Sequence, residues 1–221
     1  MTVRAIIFDC DGTLVDSEVL ANQVLVDYLE ELGHKMPVKE AIATYTGMKM
    51  ADCITDIERR FACKLSDEFV LIFRTRIAAS FAEHLRPIEG ALELLESLDL
   101  PVHIASSGPR EKIRGSLRAS DLEVFFKPED TIFSAYEIGS WKPDPAFYEA
   151  VISCLGLQPC EAIVVEDSLL GIRSAVGAGI PTIALGYRER LSGELAVVLP
   201  AGSLAEVGRI IRKLVSSSVS A

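Results

Sequence analysis

Positive charge is what this chain most lacks. Its 22 Lys and Arg residues stand against 32 Asp and Glu residues, for a net charge of −10. Phosphate backbones are bound by clustered Lys and Arg, so no nucleic-acid partner is expected. A small phosphorylated ligand remains open, because it needs only a few local donors or a metal. Cysteine is scarce as well. Cys10, Cys53, Cys63, Cys154 and Cys160 are odd in number and form no C-x-x-C pair. That argues against a zinc site or a disulfide framework and for reduced thiols in a cytoplasmic protein. The three histidines (His34, His84, His103) show no ligand spacing. No apolar run approaches the ~18 residues of a membrane span, so no membrane partner is expected. The N-terminus leads almost directly into a strand, with no room for a signal peptide. A soluble cytoplasmic protein is expected, monomeric, with a homodimer left open.

Apolar residues, by contrast, are plentiful at 49% of the chain, ample for a packed core. Short β-rich runs lie at Val3–Phe8, Val102–Ser106, Thr131–Ser134, Ala162–Glu166 and Pro181–Leu185, with Ala196–Leu199 a weaker sixth. Their length and their Gly, Pro or Asp flanks suit strands buried on both faces. Helical patterns fall between them at Gly90–Leu98, Arg110–Ala119, Asp144–Cys154 and Gly171–Ala178, and a last helix near Ala205–Val215 precedes a frayed Ser216–Ala221. The alternation predicts an α/β fold, a doubly wound parallel sheet of the Rossmann-like kind.

Residues 17–86 break this rhythm. Val19, Leu20, Val24, Tyr28 and Leu32 recur at helical spacing. Pro37 can open a second helix at its first position, and further helical patterns run through Met50–Phe61 and Ser66–Glu83. The reading is an inserted helical domain at 17–86, carried by a core made of 1–16 and 87–221. It leaves the sheet at the carboxyl end of the first strand, where ligands bind in such folds, so it should act as a lid.

Four strand ends carry polar residues that a plain sheet does not need. Asp9 and Asp11 follow the first strand, and an i, i+2 spacing in a strand puts both on one face. Two carboxylates forced together require a cation or a shared proton. Gly12 then lets the chain turn. Ser106-Ser107-Gly108 ends the second strand. Lys142 lies in the loop after the third, within Trp141-Lys142-Pro143-Asp144-Pro145. Glu166-Asp167-Ser168 ends the fourth. In a parallel sheet all four converge on one edge. Acids for a cation, a hydroxyl, an ammonium and free backbone N–H groups together suit a phosphoryl group, whose transition state spreads negative charge over its oxygens.

In this order and spacing, Asp9-x-Asp11-Gly12-Thr13, Ser106, Lys142 and Glu166-Asp167 resemble the four motifs of the haloacid dehalogenase-like superfamily. The insert resembles its small α-helical cap. The stretches Asp9–Glu18 and Val164–Ser168 look like the branch of sugar-phosphate phosphatases and beta-phosphoglucomutases. The resemblance implies that Asp9 is the nucleophile and a Mg²⁺ ligand. Asp11 is then the general acid–base and lends its backbone carbonyl to the metal. Ser106, with the N–H of Ser107, binds the phosphoryl group, and Lys142 neutralises charge there. Asp167 ligates the metal directly, and Glu166 through water. Gly47 and Lys49 look like the cap loop that faces the substrate. The positions where the mutase branch carries His and Arg hold Ala21 and Met50, which favours a phosphatase over a mutase. Asp9–Val19 and Trp141–Ala146 look most like bacterial phosphatases of 6-phosphogluconate. A phosphorylatable receiver-like signalling domain is a more distant alternative, because receivers lack an acid two residues after the phosphorylated Asp.

Overall fold

The computed structural model describes residues 2–126 and 131–219. Six parallel strands form its sheet: β1 (Ala5–Phe8), β2 (Val102–Ser106), β3 (Ile132–Ser134), β4 (Ala162–Glu166), β5 (Thr182–Leu185) and β6 (Leu199–Ala201). They lie in the order β3-β2-β1-β4-β5-β6. Side chains alternate between the two faces. Ile6, Phe8, Ile104, Ile163, Val165 and Ile183 share one apolar cluster with α5 (Ala91–Glu96), α6 (Arg110–Ala119) and α10 (Leu204–Val219). Ala5, Ile7, Ala105, Ala162 and Val164 share another with α8 (Pro145–Leu155) and α9 (Leu169–Gly177). Both faces are thus covered, as an all-parallel sheet requires.

The register positions the functional edge. Phe8 stands opposite Ile104 on one side and Val165 on the other. Asp9 and Glu166, each one residue further on, therefore emerge level with each other. They follow Phe8 and Val165, which face α5, α6 and α10, so alternation turns both acids toward α8.

Between β1 and β2 lie α1 (Glu18–Glu31), α2 (Val38–Tyr45), α3 (Met50–Phe61) and α4 (Phe69–His84), with no strand among them. Tyr28 of α1 stacks on Phe69 of α4 with ring centroids 4.9 Å apart. Arg76 lies over Tyr28 at 4.2 Å and forks onto Glu31 with two bonds of 2.7 Å. The two chain crossings into this bundle pair with each other. Val15 bridges Pro87 in antiparallel fashion. The Asp16 N–H donates to the Arg86 carbonyl at 3.1 Å, and the Ile88 N–H to the Leu14 carbonyl at 2.9 Å.

The structure differs from the sequence reading in several places. The weaker sixth strand lies at Leu199–Ala201, because Gly193–Val197 coils into a 3-10 turn. Pro37 precedes α2 in an extended conformation instead of occupying its first position. The final helix continues to Val219, through most of the serine-rich segment expected to fray; Ser220 and Ala221 lie outside the described residues. A short α7 (Ala135–Ile138) follows β3 directly. All five cysteines are free, and no helix among the described residues is long and apolar enough to cross a membrane.

Candidate active site

The first strand stops at Phe8, so Asp9 and Asp11 do not share a strand face as the i, i+2 spacing suggested. The Cys10 carbonyl accepts from the N–H groups of Leu14 and Val15, and Gly12 takes φ +81°. This tight turn separates the two carboxylates. Asp9 reaches Lys142, whose Nζ donates to Asp9 Oδ1 at 2.5 Å. Asp11 turns to a different lysine: Lys112 of α6 donates to Asp11 Oδ2 at 2.8 Å. The Ser17 hydroxyl donates to Asp11 Oδ1. Ser17 thereby gives up capping α1, which it precedes.

Lys142 is a hub. Its side chain is 5% exposed and also donates to the Ala105 carbonyl at 3.0 Å and pairs with Glu166 Oε1. Glu166 is fully buried. It accepts from the Tyr148 hydroxyl at 2.8 Å and the Ser168 hydroxyl at 3.1 Å. Ser168 caps α9 by accepting the Gly171 N–H at 3.0 Å. Asp167 accepts from the Thr13 hydroxyl at 2.8 Å. Buried Ser106 accepts the Gly108 N–H at 3.1 Å, which leaves its hydroxyl proton free to donate. Two glycines make room for the acids. A Cβ at Gly12 would sit 2.3 Å from Asp167 Oδ2, and one at Gly171 would sit 2.0 Å from the Glu166 carboxyl carbon.

Burial pushes the Asp9 carboxyl well above its usual range; Lys142 opposes this, while Glu166, Asp167 and Asp11 add to it. Burial and the charge of Glu166 raise Asp167 to about 6. Burial alone would raise Asp11, but the Lys112 ammonium and the bonds from Lys112 and Ser17 outweigh it and hold Asp11 below the normal range. Glu18, at the start of α1, is raised to about 7 by burial and by Asp167 and Asp11.

Asp9, Glu166 and Asp167 each offer an oxygen within 4.8 Å of the others. When all three are ionised, three carboxylates around one ammonium carry a surplus of negative charge that a divalent cation would neutralise. Hard oxygen donors at this spacing fit Mg²⁺. The Asp11 carboxylate is not in the group, in keeping with its being turned to Lys112 and Ser17.

A family model, haloacid dehalogenase-like hydrolase, matches residues 6–185. The chain belongs to the haloacid dehalogenase-like hydrolases. Among curated relatives, the 6-phosphogluconate phosphatase of Escherichia coli K12 is 32% identical over 179 residues, covering 80% of each chain. Among solved structures, a haloacid dehalogenase family hydrolase of Deinococcus radiodurans, with bound phosphate and sodium, superposes with a TM-score of 0.72. It is 26% identical, covering 96% of each chain. A Thermotoga maritima protein provisionally assigned as a beta-phosphoglucomutase reaches a TM-score of 0.76 at 25% identity, covering 96% of this chain and 99% of its own. This haloacid dehalogenase-like chain is an enzyme, a phosphoric monoester hydrolase.

Gly47 and Lys49, in the turn between α2 and α3, are exposed to solvent but stand close to residues near the strand ends. Gly47 faces Leu170 of α9, and Lys49 Nζ stands 4.5 Å above the Trp141 ring. Trp141 meets Tyr136 edge-on at 5.6 Å. Sequence reasoning missed Lys112, Thr13, Tyr148 and the pairing role of Ser17. Thr13 and Ser17 stood inside the opening motif. Tyr148 was signalled only by its place one turn into the helix that Lys142 precedes. Lys112 carried no signal, because a lysine in a helix's first turn reads as a solvated one.

Proposed function

We propose that the enzyme is a Mg²⁺-dependent phosphatase of a small sugar phosphate or sugar-acid phosphate, such as 6-phosphogluconate, working through an aspartyl-phosphate on Asp9. The observation that carries this reading is the division of the two aspartates. Asp9 is held by Lys142 at the acid cluster, and Asp11 stands apart with its own partners. Asp9, Glu166 and Asp167, with the Asp11 carbonyl, would hold the cation. When bound, Mg²⁺ supplies positive charge against the phosphoryl oxygens and the crowded carboxylates.

The chain's own groups do the rest. Lys142 favours the ionised form of Asp9 against the burial that raises it, and holds one of its carboxylate oxygens. The other oxygen attacks phosphorus as the ester oxygen departs. Asp11, once it has taken up a proton from solvent as substrate binds, delivers that proton to the leaving oxygen and regains one from the water that hydrolyses the acyl phosphate. Ser106 and the N–H of Ser107 bind the equatorial oxygens. Residues 17–86 act as the cap, closing over the site to exclude water, with Gly47 and Lys49 facing the substrate. The similarity to the Escherichia coli enzyme supports the substrate class, and the free thiols suit a cytoplasmic location. Ala21 and Met50 offer no hydrogen bond to a second phosphate, which weighs against a mutase.

Phosphate release from a panel of sugar and sugar-acid phosphates, with and without Mg²⁺, tests the reading. Asp9→Asn should abolish release while the fold persists. Substantial residual turnover would refute the nucleophile, and conversion of a sugar 1-phosphate to its 6-phosphate without net release would establish the mutase instead.

A further inference from the structure

Lys112 is a charged group at this site that the chemistry above leaves unused. It rises from the first turn of α6, and its stem crosses the phosphate loop. A Cβ on Gly108 would lie 3.5 Å from both Lys112 Cδ and Ser106 Oγ. Its ammonium therefore sits between the Ser106 loop and Asp11, the group that the phosphatase reading sets beside the departing ester oxygen. Among the described residues Asp11 is its hydrogen-bond partner, at 2.8 Å, and the side chain is 29% exposed. Each oxygen of Asp11 has a partner. Ser17 holds one oxygen and Lys112 the other. Each oxygen keeps a second lone pair, and withdrawal of Lys112 opens its oxygen more fully to the leaving group.

We propose that Lys112 is a specificity-determining residue: it leaves Asp11 to hydrogen-bond an acceptor oxygen, hydroxyl or carboxylate, borne one or two carbons beyond the ester carbon of the substrate. The proposal rests on the phosphatase reading. Geometry sets the reach. Asp11 must come within about 2.6–3.2 Å of the ester oxygen. An ammonium bonded to Asp11 is then within roughly 6 Å of that oxygen, and lysine's flexible four-carbon stem covers the remainder. In a sugar 6-phosphate the group in range is the neighbouring hydroxyl; the distant carboxylate of a six-carbon acid is out of range. The exchange replaces one charge-assisted bond with another and frees Asp11. An ester with no such oxygen leaves the ammonium unpaired or Asp11 engaged. Glu18 shares this space, and its carboxylate repels an acid group more than a hydroxyl.

The test measures kcat/KM for phosphate release from glycerol 3-phosphate (adjacent hydroxyl), 2-phosphoglycolate (adjacent carboxylate) and propyl phosphate (neither). Wild type, Lys112→Met and Lys112→Arg are compared, with Lys112→Gln in reserve should the Met variant not fold. Wild type should favour the oxygen-bearing esters over propyl phosphate by about 10- to 100-fold, the range of a hydrogen bond to a charged group. Lys112→Met should erase that ratio and Lys112→Arg should keep part of it. A preference for glycerol 3-phosphate alone assigns the site to hydroxyls, and one for 2-phosphoglycolate alone assigns it to carboxylates. A wild-type ratio near one, or a ratio unchanged by Lys112→Met, overturns the proposal. Absence of phosphate release by wild type from these esters and from 6-phosphogluconate instead refutes the phosphatase reading itself.

Discussion

Replacing Gly171 with alanine sets two ordinary effects against each other. Gly171 lies in the first turn of α9, and alanine in a helix is favoured over glycine by about 1 kcal/mol. Yet the new methyl would lie 2.0 Å from the carboxyl carbon and one oxygen of Glu166. Glu166 has nowhere to go: it is fully buried and bonded to Tyr148, Ser168 and Lys142. Overpacking of this kind costs about 1–3 kcal/mol. Pushing the carboxylate off Lys142 disrupts a buried ion pair, worth about 3–5 kcal/mol when one partner is lost. Backbone adjustment relieves part of this, so a net loss of about 3 kcal/mol is expected, with Tm lower by about 6–12 °C for a chain of this size. Thermal unfolding followed by circular dichroism in chelator measures it. Gly115→Ala in α6 is the control, because its methyl meets nothing within 4 Å; it should gain up to about 1 kcal/mol. Adding Glu166→Ala to Gly171→Ala should remove the clash, giving a coupling of about 2 kcal/mol or more. If Gly171→Ala is as stable as Gly115→Ala, the tight seating of Glu166 under α9 is wrong.

Two other perturbations follow from the same site. Lys142→Met keeps the volume but strips Asp9 and Glu166 of their ammonium. Denaturant titrations at neutral pH without metal should show a loss of about 3–5 kcal/mol, smaller at pH 5, where the acids take up protons, and partly recovered by Mg²⁺; an unchanged midpoint would rule out the hub role. Glu18 is raised to about 7 in the folded protein from 4.5. A folded pKa above the unfolded value means that the native state binds the proton more tightly, so stability is full below 4.5 and falls as pH rises through 7. Glu18→Gln should flatten that fall in urea midpoints taken from pH 4.5 to 8, and an identical slope in the variant would contradict it.

The polar edge was legible because its residues are anchored to strand ends, and strand ends are marked by the switch from apolar runs to Asp, Ser and Glu. Val102–Ser106 and Ala162–Glu166 are strands over just those residues. The helices α3 and α6 likewise span the expected Met50–Phe61 and Arg110–Ala119. What could not be read was direction. Alternation along an ideal strand placed Asp9 and Asp11 on one face, but the chain turns immediately after Phe8 and sends them to different lysines. Lys112 is 101 residues from Asp11 in sequence, and no local pattern encodes such a pairing. The sixth strand was misplaced for a related reason. Ala196–Leu199 and Leu199–Ala201 are both short and apolar, and packing of Leu195 and Val198 against Ile172 decides which of them extends.

The bridge between Val15 and Pro87 has a consequence for how such an enzyme can change over evolutionary time. The strands of an antiparallel pair run about 5 Å apart, so the chain departs from the core and returns to it at nearly one point. Seen from the sheet, the helices between them are a single long hairpin loop. The entropic cost of closing a loop grows only logarithmically with its length. The bundle can therefore lengthen, shrink or be exchanged for another of different lining without disturbing the register that holds Asp9 level with Glu166. The paired crossings separate two inheritances: a polar edge fixed in the sheet, and a helical bundle free to be replaced as one piece.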